Sequence, residues 1–359
     1  MPATHRLGII GAGDVGGLHA LAIGDAADAE LVAASRRSED AGRAFAEEHD
    51  CTWYADYEDM LDEEDLDAVT VATPSGAHLE PTVAAAERGV HVLCEKPLEI
   101  TTERIDQMIE AAAEHDVKLG GIFQQHFNDV VLTVREAIAA GRLGDIAVAN
   151  AYVPWWRDDE YYEGTWKGTQ ELDGGGALMN QSIHAIDAIQ WLVAANMDLE
   201  SGENPVEEVY AFTDVLGHDP AHIEVEDTAV AVLRYRDGTL GQILGATSMY
   251  PGNLRSLQVA GRDGTAEILE DELVKWQFRE ERPEDEEIRE RYSQETESSG
   301  ASDPMAIDYG GHTQNVEAFL GWVDGEDDFD LTAQEARKAV AIIRAIYDSA
   351  ETGEPVRLE

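Results

Sequence analysis

The stretch RLGIIGAGDVG, residues 6–16, joins a short apolar run to the glycine pattern GxGxxG. The apolar run is typical of a buried parallel strand, and residues 17–23 continue as a helix. Gly11 permits a tight turn, Gly13 lets the backbone approach a pyrophosphate, and Gly16 lets the helix pack on the strand. The N–H groups and dipole of the helix N-terminus favour an anion. The residues predicted to form this dinucleotide site are Gly11, Ala12, Gly13, Asp14 and Val15.

Strand and helix patterns then alternate as far as residue 123. The expected strands are 30–34, 52–54, 68–72, 91–94 and 118–123, and the expected helices are 39–49, 57–62, 78–88 and 102–115. Repeated strand–helix units with apolar strands predict a doubly wound parallel sheet of the Rossmann type. Ligands of such sheets bind beyond the carboxyl ends of the strands. The residues expected to border a nicotinamide there are Ala72, Thr73, Pro74, His78, Glu95 and Lys96.

The end of the second strand bears on the choice between NAD and NADP. NAD-preferring sites usually have Asp or Glu at this point, bonded to the ribose 2′-hydroxyl. This chain has Ser35, Arg36 and Arg37 instead, and arginine beside a small hydroxyl residue suits a 2′-phosphate. We therefore predict NADP in preference to NAD. Glu39 and Asp40 keep NAD open, and the arginines also suit a solvated turn before a helix.

Lys96 is the sharpest single candidate for a catalytic residue. It follows a buried strand, precedes Pro97 and has Glu95 beside it, in a chain with only 25 basic residues. A lysine held partly desolvated near a cofactor can serve in proton transfer. The alternative is an ordinary lysine in a surface loop.

A second chemical stretch is DGGGALMNQSIHAID, residues 173–187. Residues 177–193 are predicted to form an apolar helix, in which Asn180, His184 and Asp187 share one face at i, i+4 and i+7. Buried polar groups need partners. The partner is either the protein itself or a polyhydroxylated ligand.

Aromatic and basic residues accompany this helix in the second half of the chain. Trp155, Trp156, Arg157 and Trp166 form a run in which rings could stack on a sugar while cations bond its hydroxyls or carboxylates. Arg157 is the strongest specificity candidate, because its fork suits a uronate or phosphate. Gln124 lies where a substrate could meet the cofactor. The alternative for the aromatic run is a small satellite core.

The second domain is expected to hold strands at 146–154, 206–213, 228–235, 240–249 and 256–260. The alternation in residues 229–235 fits an antiparallel sheet with one covered face, whose other face is an oligomer surface. We place the domains at 1–123 and 124–359, with helix 333–350 packing back across both. Residues 280–297 are nearly all charged and are expected to be a solvated excursion.

The net charge is −49, from 74 acidic and 25 basic residues among 359. No basic face can be assembled to neutralise phosphates, which disfavours nucleic acids and acidic membranes as partners. The periodic apolar segments argue against disorder. The charge fits a concentrated-salt cytosol, because the Debye length falls to about 3 Å at 1 M salt. We expect the fold to be weakened at low salt.

Cys51 and Cys94 are the only cysteines, and no metal cluster or disulfide scaffold is indicated. His218 and His222 lack the spacing of a metal site, so no metal is predicted. The absence of a signal peptide and of a membrane-length apolar segment predicts a cytoplasmic protein.

Taken in order, the GAGDVG, ATP, EKP and GGG…Asn180…His184…Asp187 motifs resemble the Gfo/Idh/MocA family of glucose–fructose oxidoreductase and inositol dehydrogenase-like enzymes. The resemblance implies an N-terminal Rossmann domain and a C-terminal α+β domain with an open, mostly antiparallel sheet, which often forms homodimers or homotetramers. It also implies hydride transfer between a sugar or cyclitol carbinol and a nicotinamide. Lys96 would contact substrate and cofactor, and His184 would act as acid and base.

One position departs from the common family pattern. Many members have Asp where this chain has Asn180, and an amide cannot take a proton. The proton transfer would then rest on His184 and Lys96, with Asn180 and Asp187 orienting substrate or histidine. Asparagine here is similar to members that act on nucleotide-linked uronic sugars.

The sequence leaves three functional hypotheses. The first is an NAD(P)-dependent dehydrogenase acting on CH–OH groups of a sugar, sugar acid or cyclitol. The second is a sensor that binds NAD(P) and sugar without turnover, because function depends on the site and not on the fold. The third is an NADP-dependent reductase of non-sugar carbonyls.

Overall fold

The computed structural model describes residues 4–292, 309–326 and 328–358. The chain divides into two compact units. The first comprises Met1–Gln124 and Asp308–Arg337, and the second comprises Gln125–Ile307 and Lys338–Glu359.

The elements alternate as strand and helix through the first unit and are dominated by strands in the second. In chain order the strands are β1 His5–Ile10, β2 Ala29–Ser35, β3 Thr52–Tyr54, β4 Ala68–Val71, β5 His91–Cys94, β6 Leu119–Gly121, β7 Ile146–Pro154, β8 Val206–Asp214, β9 Thr228–Tyr235, β10 Leu240–Ala246, β11 Ser256–Gly261, β12 Gly264–Leu269, β13 Glu272–Phe278 and β14 Val356–Arg357. The α-helices are α1 Asp14–Asp25, α2 Glu39–His49, α3 Tyr57–Glu63, α4 Leu79–Glu87, α5 Thr102–Glu114, α6 Asp129–Ala139, α7 Ile183–Ala194, α8 Pro283–Arg291, α9 Gly310–Asp324 and α10 Ala333–Thr352.

The first unit is built on a six-stranded parallel sheet in the order β3-β2-β1-β4-β5-β6. Strands β4 and β5 are almost entirely buried, as expected for strands covered by helices on both faces. Helix α5 begins where the Thr101 side chain accepts from the Arg104 N–H, and it buries Ile105 and Met108. This order and the strand–helix alternation confirm the predicted doubly wound sheet.

The second unit contains an eight-stranded sheet in the order β13-β12-β11-β7-β10-β9-β8-β14. Strands β7 and β10 pair in parallel, whereas their other neighbours pair antiparallel, so the predicted open, mostly antiparallel sheet is confirmed. Strand β9 alternates buried and exposed residues along its length, so one face of the sheet is covered. Strands β12 and β13 were not predicted; they are short, with six and seven residues, and they follow β11 after tight connections.

The charged segment 280–297 differs in part from its prediction. Residues 283–291 form α8, and Asp285 in its first turn is fully buried. Arg142 donates to both oxygens of Asp285, and the Trp276 indole N–H donates to one of them. The burial of this carboxylate could not be predicted from the sequence, because the local pattern shows only that the segment is charged. Residues 293–297 lie outside the described residues.

No helix within the described ranges is long and apolar enough to cross a membrane.

Candidate functional site

The glycine loop of the first unit has the shape that the fingerprint predicts. Gly11 has a φ of +103°, and a Cβ built on it would lie 2.6 Å from the Ala72 backbone, so only glycine fits this turn. A Cβ on Gly13 would meet nothing within 4 Å, so the space above the loop is open. No side chain caps the start of α1, where Asp14 and Val15 are exposed. These features fit the pyrophosphate of a dinucleotide against the helix N-terminus.

The end of β2 lies against the same loop. The Gly11 and Ala12 N–H groups both donate to the Ser35 carbonyl, at 3.2 and 3.1 Å. The Arg36 guanidinium donates back to the Ala12 carbonyl at 2.6 Å, while Arg37 is exposed. The Trp53 indole N–H donates to the Arg36 carbonyl at 2.9 Å. The structure therefore brings Ser35 and Arg36, two of the three predicted ribose-end residues, together with the glycine loop.

His78 joins the two other predicted cofactor loops. Its Nδ1 lies 2.9 Å from the Pro97 carbonyl oxygen, and its Nε2 lies 2.8 Å from the Thr73 carbonyl oxygen. The ring is buried, whereas Ala72, Thr73 and Pro74 are half-buried. His78 thus holds the loops after β4 and β5 side by side, at the carboxyl ends of two neighbouring strands.

Glu95 and Lys96 form the turn that follows β5. The Glu95 Oε2 accepts from the Lys96 backbone N–H at 2.9 Å, and its Oε1 lies 2.9 Å from His19 Nε2 on α1. Burial acts to raise the pKa of the Glu95 carboxyl, but the His19 hydrogen bond and the charges of His19, His312 and Lys96 outweigh burial and hold it well below its usual value. The carboxylate is therefore a buried anion, and Lys96 beside it is half-buried.

In the second unit, the predicted helix 177–193 begins as a π-helix, Ala177–Ser182, and continues as α7. Gly176 at its start supplies no side-chain cap, and the Glu226 carboxylate takes that role instead. The Gly176 and Leu178 N–H groups donate to Glu226 at 2.9 and 2.8 Å, and Tyr347 Oη donates at 3.0 Å. Burial nevertheless raises the pKa of the Glu226 carboxyl to about 7, although these donors oppose that rise.

Asn180 lies within the π-helix, a feature that is frequent at functional sites. Its Nδ2 donates to Asp173 Oδ1 at 2.5 Å. Its Oδ1 accepts from Gln181 Nε2 at 2.7 Å and from Tyr161 Oη at 3.4 Å. Asp173 is buried and also accepts from the Gly168 N–H at 2.7 Å. The Asn180 amide is therefore held in one orientation by neighbouring polar groups.

The other two residues of the predicted triad have different surroundings. His184 is half-buried at the start of α7. Asp187 is buried, and its carboxylate lies 2.7 Å from His126 Nε2 and accepts from Gln190 at 3.3 Å. The His126 ring in turn stacks on Trp191, with centroids 3.8 Å apart. Asp187 thus bonds to the protein, and this interaction ties α7 to the segment before α6.

Arg157 is buried within the predicted aromatic cluster. Its Nη2 donates to Gln181 Oε1 at 2.8 Å, and its guanidinium lies over the rings of Trp155 and Tyr161. Its backbone carbonyl lies 2.9 Å from His218 Nε2. Burial lowers the pKa of the Arg157 guanidinium from its ordinary value. Arg157 and Asn180 therefore share one network, because both bond to Gln181.

Two further predicted residues are half-buried. Trp166 follows Tyr161 and Tyr162 in the aromatic segment of the second unit. Gln124 closes the N-terminal segment of the first unit and lies beside Gly311, at the start of α9. Its Oε1 is buried with no hydrogen-bond partner among the described residues. Among the residues that the structure describes, no three His, Cys, Asp or Glu side chains are grouped so that they could hold a metal ion.

Comparison with known proteins places these features in a family. Residues 5–123 match the oxidoreductase family with an NAD-binding Rossmann fold called GFO/IDH/MocA, and residues 131–267 match the GFO/IDH/MocA C-terminal domain. The chain belongs to the GFO/IDH/MocA family. The resemblance found in the sequence motifs is thereby confirmed, together with the fold class.

Relatives within the GFO/IDH/MocA family include sugar and cyclitol enzymes. A myo-inositol 2-dehydrogenase of Thermotoga maritima is 31% identical over 265 residues, which cover 72% of this chain and 73% of that protein. The WlbA dehydrogenase of Bordetella pertussis, solved with NADH and UDP-GlcNAcA, has a TM-score of 0.87 and 32% identity, covering 100% of this chain and 99% of that chain. The WlbA dehydrogenase of Chromobacterium violaceum, solved with the same two ligands, has a TM-score of 0.86 and 30% identity, covering 100% and 97%.

Sequence reasoning missed several residues that hold the motif residues in place. Asp173 and Gln181 lie inside or beside the motif stretch, but their side chains carried no pattern of their own. His19 and Glu226 are distant in sequence from the groups that they contact. Only the local Asp173–Asn180 spacing could have been inferred from the sequence.

Proposed function

We propose that this GFO/IDH/MocA protein is an NAD(P)-dependent dehydrogenase that oxidises a carbinol of a sugar, sugar acid or cyclitol, with a nucleotide-linked uronate as the first candidate substrate. The observation that carries the proposal is the presence of Lys96 and His184 in a chain similar over its whole length to a dehydrogenase solved with NADH and UDP-GlcNAcA. The buried Arg157 supports a substrate with a carboxylate, because its fork suits two oxygens.

The proposed reaction removes a hydride from the carbinol carbon and a proton from its oxygen, which leaves a carbonyl. When bound, the nicotinamide accepts the hydride. His184 takes the proton, and the Lys96 ammonium stabilises the alkoxide character that develops on the oxygen. Asn180 cannot take a proton, and its amide is already oriented by Asp173 and Gln181, so it would orient a hydroxyl.

We propose NADP as the preferred cofactor. Ser35, Arg36 and Arg37 at the end of β2 support this choice, since no acidic side chain occupies that end of the strand. Arg36 lies against the glycine loop and Arg37 is exposed, so both have access to the ribose end of the loop. Replacement of both arginines by alanine should raise KM for NADP more than KM for NAD. An equal effect on both cofactors would contradict this preference.

The enzyme assay is nicotinamide reduction by purified protein in molar KCl, with NADP and NAD, over UDP-linked uronates, free uronates, aldoses and inositols. Lys96→Ala and His184→Ala should bind the cofactor normally and lose turnover, because each removes a group that meets the reacting hydroxyl. Lys275→Ala and His115→Ala are matched controls at exposed positions and should keep full turnover. Near-normal turnover of both site variants would overturn the mechanism. Cofactor and sugar binding without turnover by the wild-type chain would favour the sensor instead.

We also propose that the open face of the second sheet joins two or more copies of this chain. Phe212, Val230, Val232 and Leu240 are exposed on the adjacent strands β8, β9 and β10, at 67%, 36%, 52% and 51% of their surface. Contiguous exposed apolar residues mark interaction surfaces. Light scattering in molar KCl should give a dimer or tetramer, and Val232→Lys should lower that mass. A monomeric wild-type chain would contradict the proposal.

A concentrated-salt cytosol is the proposed working environment. The support is the net charge of −49, which salt must screen for the compact state to persist.

A further inference from the structure

His19 is a fully buried histidine in the middle of α1, outside the glycine pattern itself. Its Nε2 lies 2.9 Å from Glu95 Oε1, and the centroid of its ring is 5.7 Å from that of His312. A carboxylate oxygen can only accept, so Nε2 must carry the hydrogen. The His19 Nδ1 has no hydrogen-bond partner among the described residues. The hydrogen bond to Glu95 is therefore the one that this ring makes among the described residues.

Glu95 depends on this contact because it is a buried anion. Only 7% of its surface is exposed. The charged groups that face it are His19 from α1, His312 Nε2 from α9 at 3.8 Å, and Lys96 on its own turn. Of the two histidines, His19 is the closer to Glu95, at 2.9 Å against 3.8 Å, and His19 is within hydrogen-bond distance. Removal of a hydrogen-bond donor from a buried carboxylate leaves that charge poorly compensated.

The carboxylate passes this constraint to Lys96. One Glu95 oxygen is held by His19, and the other accepts from the Lys96 backbone N–H. Two hydrogen bonds to opposite oxygens fix the plane of the carboxylate, and so fix the peptide at which the lysine side chain starts. Since His19 belongs to α1, the helix that follows the glycine loop is tied to the turn that carries Lys96.

We propose that His19 is a positioning residue for Lys96 and acts through Glu95. The inference rests on the proposed function, in which Lys96 contacts the reacting hydroxyl. It assigns to α1 a second role, because the helix that starts at the cofactor loop also sets the geometry of the catalytic turn.

The test compares His19→Leu, which removes the donor at similar size, with His19→Gln, whose amide nitrogen can donate from nearly the same place. His19→Leu should lower kcat about 100-fold, the effect of roughly 1 Å of misplacement, with the dissociation constant for the cofactor unchanged. His19→Gln should keep kcat within about fivefold of the wild type, because the hydrogen bond is retained. His115→Leu is the exposed control and should leave kcat unchanged.

A second readout needs no turnover. The pKa of Glu95 is depressed in the fold, so its interactions stabilise the protein above its usual pKa near 4.5, and this contribution is lost as pH falls through the folded value. His19→Leu should reduce that part of the acid-side stability profile, and His19→Gln should retain more of it than His19→Leu does. If His19→Leu does not fold, Glu95→Gln removes the carboxylate charge without changing the size of the side chain. This variant should also lower kcat and flatten the dependence of stability on pH at the acid side.

Wild-type kcat and an unchanged acid-side profile in His19→Leu would overturn the inference. An equal loss in His19→Leu and His19→Gln would also overturn it, because the hydrogen bond would then not be the cause. Near-normal turnover in both Lys96→Ala and His184→Ala would overturn the proposed mechanism separately, and the acid-side profile still tests whether His19 holds Glu95.

Discussion

Gly176 provides a sharp test of how the helix that carries Asn180 and His184 is positioned. Its φ of −103° is open to any residue, so steric contact alone requires glycine here. A Cβ at this position would overlap the Glu226 carbonyl oxygen and lie 2.9 Å from Val225 Cγ2. A shift of Glu226 would break the bond from the Ala177 N–H to its carbonyl oxygen and the bond from the Gly176 N–H to its carboxylate.

The expected effect of Gly176→Ala follows from these contacts. Overpacking costs about 1–3 kcal/mol, and the loss of two hydrogen bonds costs about 1 kcal/mol each. The sum is about 3–5 kcal/mol, which lowers the thermal midpoint of a unit of this size by roughly 10 °C. Since Asn180 lies one turn further on, kcat should fall about 100-fold through misplacement.

Thermal unfolding and initial rates in molar KCl measure both effects. The matched control is Gly24→Ala in α1, where an added Cβ meets nothing within 4 Å. That change should be neutral or stabilise by about 0.5–1 kcal/mol, because alanine is the better helix former. A Gly176→Ala protein with the wild-type midpoint and full turnover would refute the reasoning.

Three further predictions concern charge. Arg142→Met should lower the free energy of unfolding by about 3–5 kcal/mol, because it leaves Asp285 buried without its cation; urea unfolding checks this, and a loss below about 1 kcal/mol contradicts it. The pKa of Glu226 is about 7, above its usual value of 4.5. Its contribution to the free energy of unfolding is therefore fully present below pH 4.5 and is lost as pH rises through about 7. Glu226→Gln should flatten the dependence of stability on pH between about 4.5 and 7. An unchanged slope in this range would contradict the prediction. The thermal midpoint should rise from dilute buffer to molar KCl because salt screens a net charge of −49; equal midpoints would rule this out.

Most of the fold could be predicted because its signals are local. The glycine pattern needs only Gly11, Gly13 and Gly16 in order, and a strand such as β9 reveals its covered face by alternation. Strands β12 and β13 were not predicted, although β12 alternates buried and half-buried residues much as β9 alternates buried and exposed ones, because strands of six and seven residues give a weaker pattern. The buried Asp285 escaped because burial of a charge depends on a distant cation, Arg142.

The candidate site divides in the same way. The sequence by itself predicted the family, which is confirmed, and proposed Lys96, Asn180 and His184 as site residues, because the residues of each motif are close neighbours in the chain. It also proposed that Asp187 orients the substrate or His184, and in the structure the Asp187 carboxylate bonds to His126 and Gln190. The periodicity of a helix predicts the helix face on which a side chain lies, but it does not predict which group the side chain contacts.

Only the tertiary structure decided which groups hold the motif residues in place. His19 meets Glu95 across 76 positions of sequence, and Glu226 meets Gly176 across 50. Such partners leave no trace in spacing, since a buried polar group requires a complementary atom within hydrogen-bond distance and any remote segment can supply it. The local motifs therefore indicate the family and the candidate site residues, while the contacts that position those residues are a property of the folded chain.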